Sequence, residues 1–126
     1  MIGWRIWLLL GSLSGLLAVM AGAYGAHGLQ GDAHVREAFK TGVQYHLVHA
    51  LALLAVAWLA SRPETKGATS VHIAGAAFLA GTLLFSGTLY AFGTTGRIFI
   101  AGAAPVGGFF FMLGWAALAW TALRHR

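Results

Sequence analysis

The sequence predicts an all-α integral membrane protein, a single domain over residues 1–126 in which four transmembrane helices form a compact up-down bundle. Hydrophobic residues make up 59% of the chain and charged residues only 9%, whereas charged residues make up about 25% of a soluble domain. Four apolar runs lie at 6–26, 41–60, 71–92 and 98–123. Each run is long enough to cross the hydrocarbon layer, which takes about 20 residues. The absence of cysteine excludes disulfides and thiolate chemistry.

The first run has an alternative interpretation. Arg5 and the small-residue segment AGAYGA (21–26) resemble a secretory signal with its cleavage site. The apolar stretch is longer than the ~7–15 residues of such signals. We therefore predict an uncleaved spanning helix.

Small residues recur at every third or fourth position of this run, including Gly11, Gly15 and Gly22. Such a glycine stripe lets helix backbones approach closely in lipid. If the opposite face meets the bundle interior, the stripe is free for a second copy of the chain or for a larger membrane complex. The alternative is that the stripe faces the fourth span of the same chain.

Further packing positions lie in the last two runs. Gly81 is expected to admit a close neighbour to the third span. Pro105 fixes φ near the start of the fourth span, and Gly107 with Gly108 allows a close neighbour or a bend.

The first loop contains the segment DAHVREAF (32–39). Asp32 is suited to cap a helix N-terminus, and Val35 and Phe39 fall on one helical face. We predict a short interfacial helix that leads into the second span, with an irregular loop as the alternative.

The basic residues indicate the orientation, because positive charge is enriched on the cytoplasmic side. Five of them flank the side that holds both termini, and three flank the other side. We therefore predict a multi-pass protein of the bacterial inner (plasma) membrane with both termini in the cytoplasm. Since the basic residues lie at helix ends, membrane lipids are the expected partners rather than nucleic acid. The two groups are Arg5, Arg62, Lys66, Arg124 and Arg126, and Arg36, Lys40 and Arg97.

The segment VQYHLVHALAL (43–53) places two imidazoles in the second span. His49 lies roughly 12 Å below the start of that span, so its ring should face the bundle interior and be hydrogen-bonded. The third span ends FSGTLY (85–90), with polar groups at matching depths. We predict one polar cluster toward the outer side: His27, Gln44, Tyr45, His46, His49, Ser86 and Tyr90.

Four segments carry a family resemblance: GAYGAHGL (22–29), YHLVHALAL (45–53), FSGTLY (85–90) and PVGGFFFMLGW (105–115). They resemble domain-of-unknown-function family 423, small bacterial inner-membrane proteins similar to eukaryotic transmembrane protein 256. The resemblance implies four spans and supplies no activity. This sequence departs from the family pattern at His46, where the family is associated with glutamine, and at Ala104, where threonine is expected. The residues on signature positions are His27, Tyr45, His49, Ser86, Tyr90, Pro105, Gly107 and Gly108.

Several sharper functions are disfavoured. A haem held by His27 and His49 would need ligands at one depth, yet these differ by roughly 12 Å. A proton-coupled exporter would want a carboxylate inside a span, but the three acidic residues lie in loops. A Ser86–His49 nucleophile has no acidic third member to orient the imidazole.

The favoured function is therefore a non-enzymatic binding, interaction or accessory protein whose polar cluster serves mainly helix packing. No cofactor is predicted for it. The alternative is a metal-, quinone- or lipid-binding membrane protein that uses His27, His46 and His49, since imidazole suits zinc or copper.

Overall fold

The computed structural model describes residues 3–125, which contain only helices and their connections. These helices are α1 (Trp4–His27), α2 (Ala33–Ser61), α3 (Thr69–Gly81), α4 (Gly87–Thr95) and α5 (Ala103–Arg124). A π-helical turn, Thr82–Ser86, joins α3 to α4, so these two helices form one span, Thr69–Thr95. With α1, α2 and α5, the described chain has four helices long and apolar enough to cross a membrane. The predicted all-α, four-span fold class is confirmed.

The predicted short interfacial helix is not a separate element, because α2 runs without a break from Ala33 to Ser61. The Asp32 carboxylate caps this helix and accepts a hydrogen bond from the Val35 N–H at 3.0 Å. No glycine or proline lies between residues 32 and 41 to end the helix. Its 29 residues span about 43 Å, against a hydrocarbon core of about 30 Å. α2 is therefore longer than the hydrocarbon core is thick, and its charged residues, Arg36, Glu37 and Lys40, all lie in its first two turns.

The fourth span begins at Ala103, five residues later than the apolar run. Gly96 and Gly102 have positive φ values of 74° and 83°, which glycine adopts without steric cost, and they bound the connecting loop. The apolar residues 98–100 are exposed in this loop. Pro105 lies in the first turn of α5, where a missing N–H costs nothing, so it starts this helix and does not bend it.

The helices pack around α2 and the third span. α1 packs on α2, and α5 packs on α3 and the π-helical turn. The largest wholly buried side chains of the core include Trp7, Leu53 and Phe78. α1 is the least buried of the four spans, so its attachment depends mainly on its contact with α2.

The glycine stripe of α1 faces α2 within the same chain. A Cβ at Gly11 would lie 2.9 Å from Leu54 Cδ2, and one at Gly22 would lie 3.4 Å from Val43 Cγ1. The expectation that the stripe faces a second chain is therefore wrong. The physical reason is that large apolar side chains are well solvated by lipid, whereas close helix approach needs the glycines. The face expected inside the bundle is the exposed one: Leu13, Leu17, Met20, Tyr24 and His27.

The third span and α5 also approach closely through glycine. A Cβ at Gly107 would lie 2.5 Å from the backbone nitrogen of Phe85, and one at Gly81 would lie 3.0 Å from the Gly107 carbonyl oxygen. No described atom of another helix lies within 4 Å of a Cβ at Gly108. Of the paired glycines, Gly107 therefore makes the close approach.

Candidate functional site

His49 lies in the middle of α2, and its imidazole is 3% exposed. Its ring stacks on Phe111 of α5, with the centroids 3.6 Å apart and the planes 9° apart. The Trp115 indole N–H donates to His49 Nε2 at 3.1 Å, and His49 Nδ1 lies 2.7 Å from the Tyr45 carbonyl oxygen. An indole N–H only donates and a carbonyl only accepts. His49 therefore has one tautomer, with its proton on Nδ1.

His46, one helical turn away, is 6% exposed and lies between two hydroxyls. Its Nδ1 lies 2.7 Å from the Tyr90 hydroxyl, and its Nε2 lies 3.0 Å from Ser14 Oγ. Each hydroxyl either donates or accepts, so both neutral tautomers of His46 are fully hydrogen-bonded. This His46 bridge (Ser14, His46 and Tyr90) joins α1, α2 and α4.

Ser86 is wholly buried but does not meet His49. Its hydroxyl donates to the Gly42 carbonyl oxygen of α2 at 2.8 Å. Both ring nitrogens of His49 already have other partners. The structure therefore forms no Ser86–His49 pair that could act as a nucleophile and base.

Tyr45 takes part through its backbone and its ring. Its side chain is 44% exposed, and the ring packs on Phe85, with centroids 4.7 Å apart. Its carbonyl oxygen is the acceptor for His49. We call Tyr45, His49, Phe78, Phe111 and Trp115 the His49 node, since their rings surround the imidazole.

His27 is exposed at the end of α1, and the structure does not bring it into the polar cluster. It follows Ser14 by thirteen residues, which turns its side chain about 220° around the helix axis and away from α2. Gln44 is exposed as well. Within residues 3–125, no three His, Cys, Asp or Glu side chains come together as a group that could hold a metal ion. The predicted three-histidine ligand set is therefore not assembled.

The sequence reasoning missed the partners on α1 and α5. Ser14 and Trp115 supply hydrogen bonds to the two histidines, and the Trp7 indole N–H donates to His72 Nδ1 at 3.0 Å. A tryptophan N–H inside a span needs an acceptor. Pairing the tryptophans with the histidines would have indicated two of these contacts.

The buried polar side chains that the structure describes are all hydrogen-bonded. In the part of the chain that the structure covers, no buried side-chain nitrogen or oxygen lacks a hydrogen-bond partner. The ring nitrogens of His46 and His49 are each bonded within the protein. The arrangement thus joins four spans by hydrogen bonds and stacked rings.

The comparison with known families matches residues 21–108 to the family described as Protein of unknown function (DUF423). The chain belongs to this family. The chain is also similar to the UPF0382 membrane protein YwdK of Bacillus subtilis (strain 168), with 40% identity over 124 residues, which cover 96% of this chain and 98% of YwdK. A UPF0382 membrane protein of Haemophilus influenzae is 37% identical over 125 residues, 95% of each chain.

These similarities confirm the family resemblance and identify a small membrane protein of the DUF423 family. The names of these relatives state membrane location and no reaction or ligand. No solved structure matches the chain. The likeness to the eukaryotic protein stays a prediction.

Proposed function

We propose that this protein is a non-enzymatic binding or accessory component of the bacterial inner membrane. Its polar side chains inside the spans hold the helices together. The observation that carries the proposal is that each ring nitrogen of His46 and His49 has a partner within the chain. A histidine that acts as a base or a metal ligand instead directs a ring nitrogen at a substrate or an ion.

The energetics support a packing role. Interhelical hydrogen bonds in membranes contribute about 0.6–2 kcal/mol each. The His46 bridge links α1 to α2 and α4, and α1 is the least buried span. A hydrogen bond of this strength therefore matters most for α1, which has the least other burial to hold it in place.

The alternative is a metal- or quinone-binding protein that uses His27, His46 and His49. Metal analysis and a visible absorption spectrum of the purified protein separate the two functions. The proposal predicts no metal at one equivalent per chain and no visible band. A stoichiometric metal that disappears in both His46→Gln and His49→Gln would overturn it.

We also propose that both termini are cytoplasmic. The basic residues support this orientation, and of these Arg126 lies outside the described chain. Tryptophan and arginine mark membrane interfaces, and positive charge favours the cytoplasmic side. Three Trp–Arg pairs lie at the end that holds the termini: Trp4 with Arg5 at 5.5 Å, Trp58 with Arg62 at 4.6 Å, and Trp120 with Arg124 at 5.5 Å from ring centroid to guanidinium carbon.

The orientation is tested with C-terminal fusions. A fluorescent protein that matures only in the cytoplasm should be bright on this terminus, and alkaline phosphatase, which needs the periplasm, should be inactive there. The reverse pattern would contradict the proposed orientation.

The predicted homo-oligomer or larger membrane complex stays a proposal, since the glycine stripe expected to carry it packs on α2. Gly15, for example, faces Ala50, whose Cβ lies 3.9 Å from a Cβ built on Gly15. Gly15→Leu should therefore loosen α1 from α2. The mass of the wild-type protein in mild detergent tests self-association directly, and a monomer would contradict the homo-oligomer.

A further inference from the structure

An open groove lies between the C-terminal end of α1 and the N-terminal end of α2. Its volume is about 510 Å³, within the range of roughly 300–1,000 Å³ that is typical of ligand pockets. Arg36, Glu37 and Lys40 line it on one side, and Gly22, Ala26 and Val43 belong to its apolar wall. None of the predicted cluster residues lines this groove.

The groove changes from polar to apolar with depth. Arg36, Glu37 and Lys40 lie in the first two turns of α2. Charged side chains are costly in the hydrocarbon core, and α2 is long enough to hold these two turns at headgroup level. Val43 follows about one turn deeper, and Gly22 packs against it. A ligand that fits has a charged head and an apolar tail in that order, as a phospholipid does.

The wall of the groove is fixed by packing. Phe39 lines it and is 4% exposed. Its ring is held between those of Tyr24, at 5.8 Å, and Tyr90, at 4.9 Å between centroids. A Cβ at Gly25 would lie 3.0 Å from the Phe39 ring. This wall is preorganised, which lowers the entropic cost of binding.

The charges of the rim select the headgroup. Arg36 and Lys40 are four residues apart on one helix face, and both are exposed. The one ion pair within residues 3–125 joins Arg62 to Glu64, so neither rim cation is neutralised by a described carboxylate. Guanidinium and ammonium groups suit a phosphate. Glu37 lies three residues before Lys40 on the same face and suits an ammonium group.

We propose that this groove binds a phospholipid whose headgroup carries both a phosphate and a primary amine, that is, a phosphoethanolamine lipid. The phosphate lies against Arg36 and Lys40, and the ammonium donates hydrogen bonds to Glu37. A phosphoglycerol head has no ammonium group to donate to Glu37, and a phosphocholine head has no N–H to donate. This inference rests on the proposed binding role and gives it a ligand.

The test is native mass spectrometry of the full chain released from nanodiscs of equal parts phosphatidylethanolamine, phosphatidylglycerol and phosphatidylcholine with matched acyl chains. The wild type should retain phosphatidylethanolamine preferentially. The double variant Arg36→Gln with Lys40→Gln should lower that retention about tenfold, equivalent to about 1.4 kcal/mol. Arg97→Gln, which removes a cation on the same membrane side but outside the groove, should leave retention unchanged.

Two further variants sharpen the assignment. Glu37→Gln should abolish the preference for phosphatidylethanolamine over phosphatidylglycerol, because only the ammonium contact is lost. Ala26→Leu narrows the groove and should lower retention, whereas Ala23→Leu, exposed on α1 but outside the lining, should not. Unchanged thermal unfolding of all variants shows that they fold.

Two results would overturn the inference. A wild type that prefers phosphatidylglycerol would contradict the ammonium contact with Glu37. Equal retention of all three lipids, unaffected by the double variant, would contradict the site itself. Neither result would affect the packing role of the hydrogen bonds inside the spans, which metal analysis tests separately.

Discussion

His46 and His49 lie one helical turn apart on α2, and both are almost wholly buried, yet their surroundings differ. His49 is bonded to an indole N–H and a carbonyl oxygen, whose hydrogen-bonding directions are fixed. His46 is bonded to two hydroxyls, whose directions are free. Burial and hydrogen bonding alone therefore do not show how strictly a histidine is required.

The comparison explains which substitution each position accepts. A glutamine amide has one oxygen acceptor and two N–H donors, so it can satisfy the Ser14 and Tyr90 hydroxyls in either direction. At His49 the same amide would lose the stacked contact with Phe111.

The largest expected effect is that of His49→Leu. This change leaves the Trp115 N–H without an acceptor, which costs about 1–3 kcal/mol, and removes ring contacts of about 0.5–1.5 kcal/mol. The free energy of unfolding in mixed micelles should fall by about 2–4 kcal/mol. Leu51→Ala, on the exposed face of α2, is the control, and an equal loss there would break the comparison.

Trp115→Phe isolates the hydrogen bond of the His49 node. It keeps an aromatic ring beside Phe78 but leaves His49 Nε2 without its donor. We expect a loss of about 1–2 kcal/mol in the same unfolding assay. Trp120→Phe, at an exposed site on the same helix, should have almost no effect. Equal losses of unfolding free energy in the two variants would show that Trp115 acts by anchoring the helix at the membrane interface and not through its hydrogen bond to His49.

His46→Leu should cost less than His49→Leu, about 1–2 kcal/mol. The reason is that a freed serine hydroxyl can turn to a backbone carbonyl of its own helix, whereas an indole N–H cannot turn. Because the His46 bridge attaches α1, proteolysis or hydrogen exchange should increase first in residues 4–27. An increase confined to α5 would contradict this assignment.

The smallest effect is expected for His46→Gln. Both hydroxyl partners keep a donor or an acceptor, so the free energy of unfolding should change by no more than about 0.5 kcal/mol. A loss equal to that of His46→Leu would show that the imidazole itself is required.

Much of the fold follows from the sequence because apolar length decides membrane spanning. The four runs and the Asp32 cap depend on local chemistry: each run corresponds to one of the four spanning helices, and Asp32 caps α2. The start of α5 was missed because apolarity does not distinguish a helix from an exposed apolar loop. Gly96 and Gly102, which adopt left-handed backbone conformations, bound the loop and so determine where α5 begins.

The site was less predictable because it depends on which faces of the helices meet. The depths of His46 and Tyr90 indicated their contact, which the structure contains. Ser86 also had a suitable depth, yet its hydroxyl points at the Gly42 carbonyl. The depth of a residue does not specify how its helix is rotated about its axis. The face of α1 that was expected inside the bundle is therefore exposed, and His27 lies outside the cluster.

The most direct test of the two histidine environments is an NMR measurement of imidazole tautomers on the ¹⁵N-histidine-labelled protein in lipid nanodiscs. Long-range ¹H–¹⁵N spectra distinguish a protonated Nδ1 from a protonated Nε2, and His46→Gln and His49→Gln assign the two rings. We expect His49 to show only the Nδ1–H form, and His46 to show both forms in exchange. An Nε2–H form at His49 would contradict the account, because the Trp115 N–H would then have no acceptor.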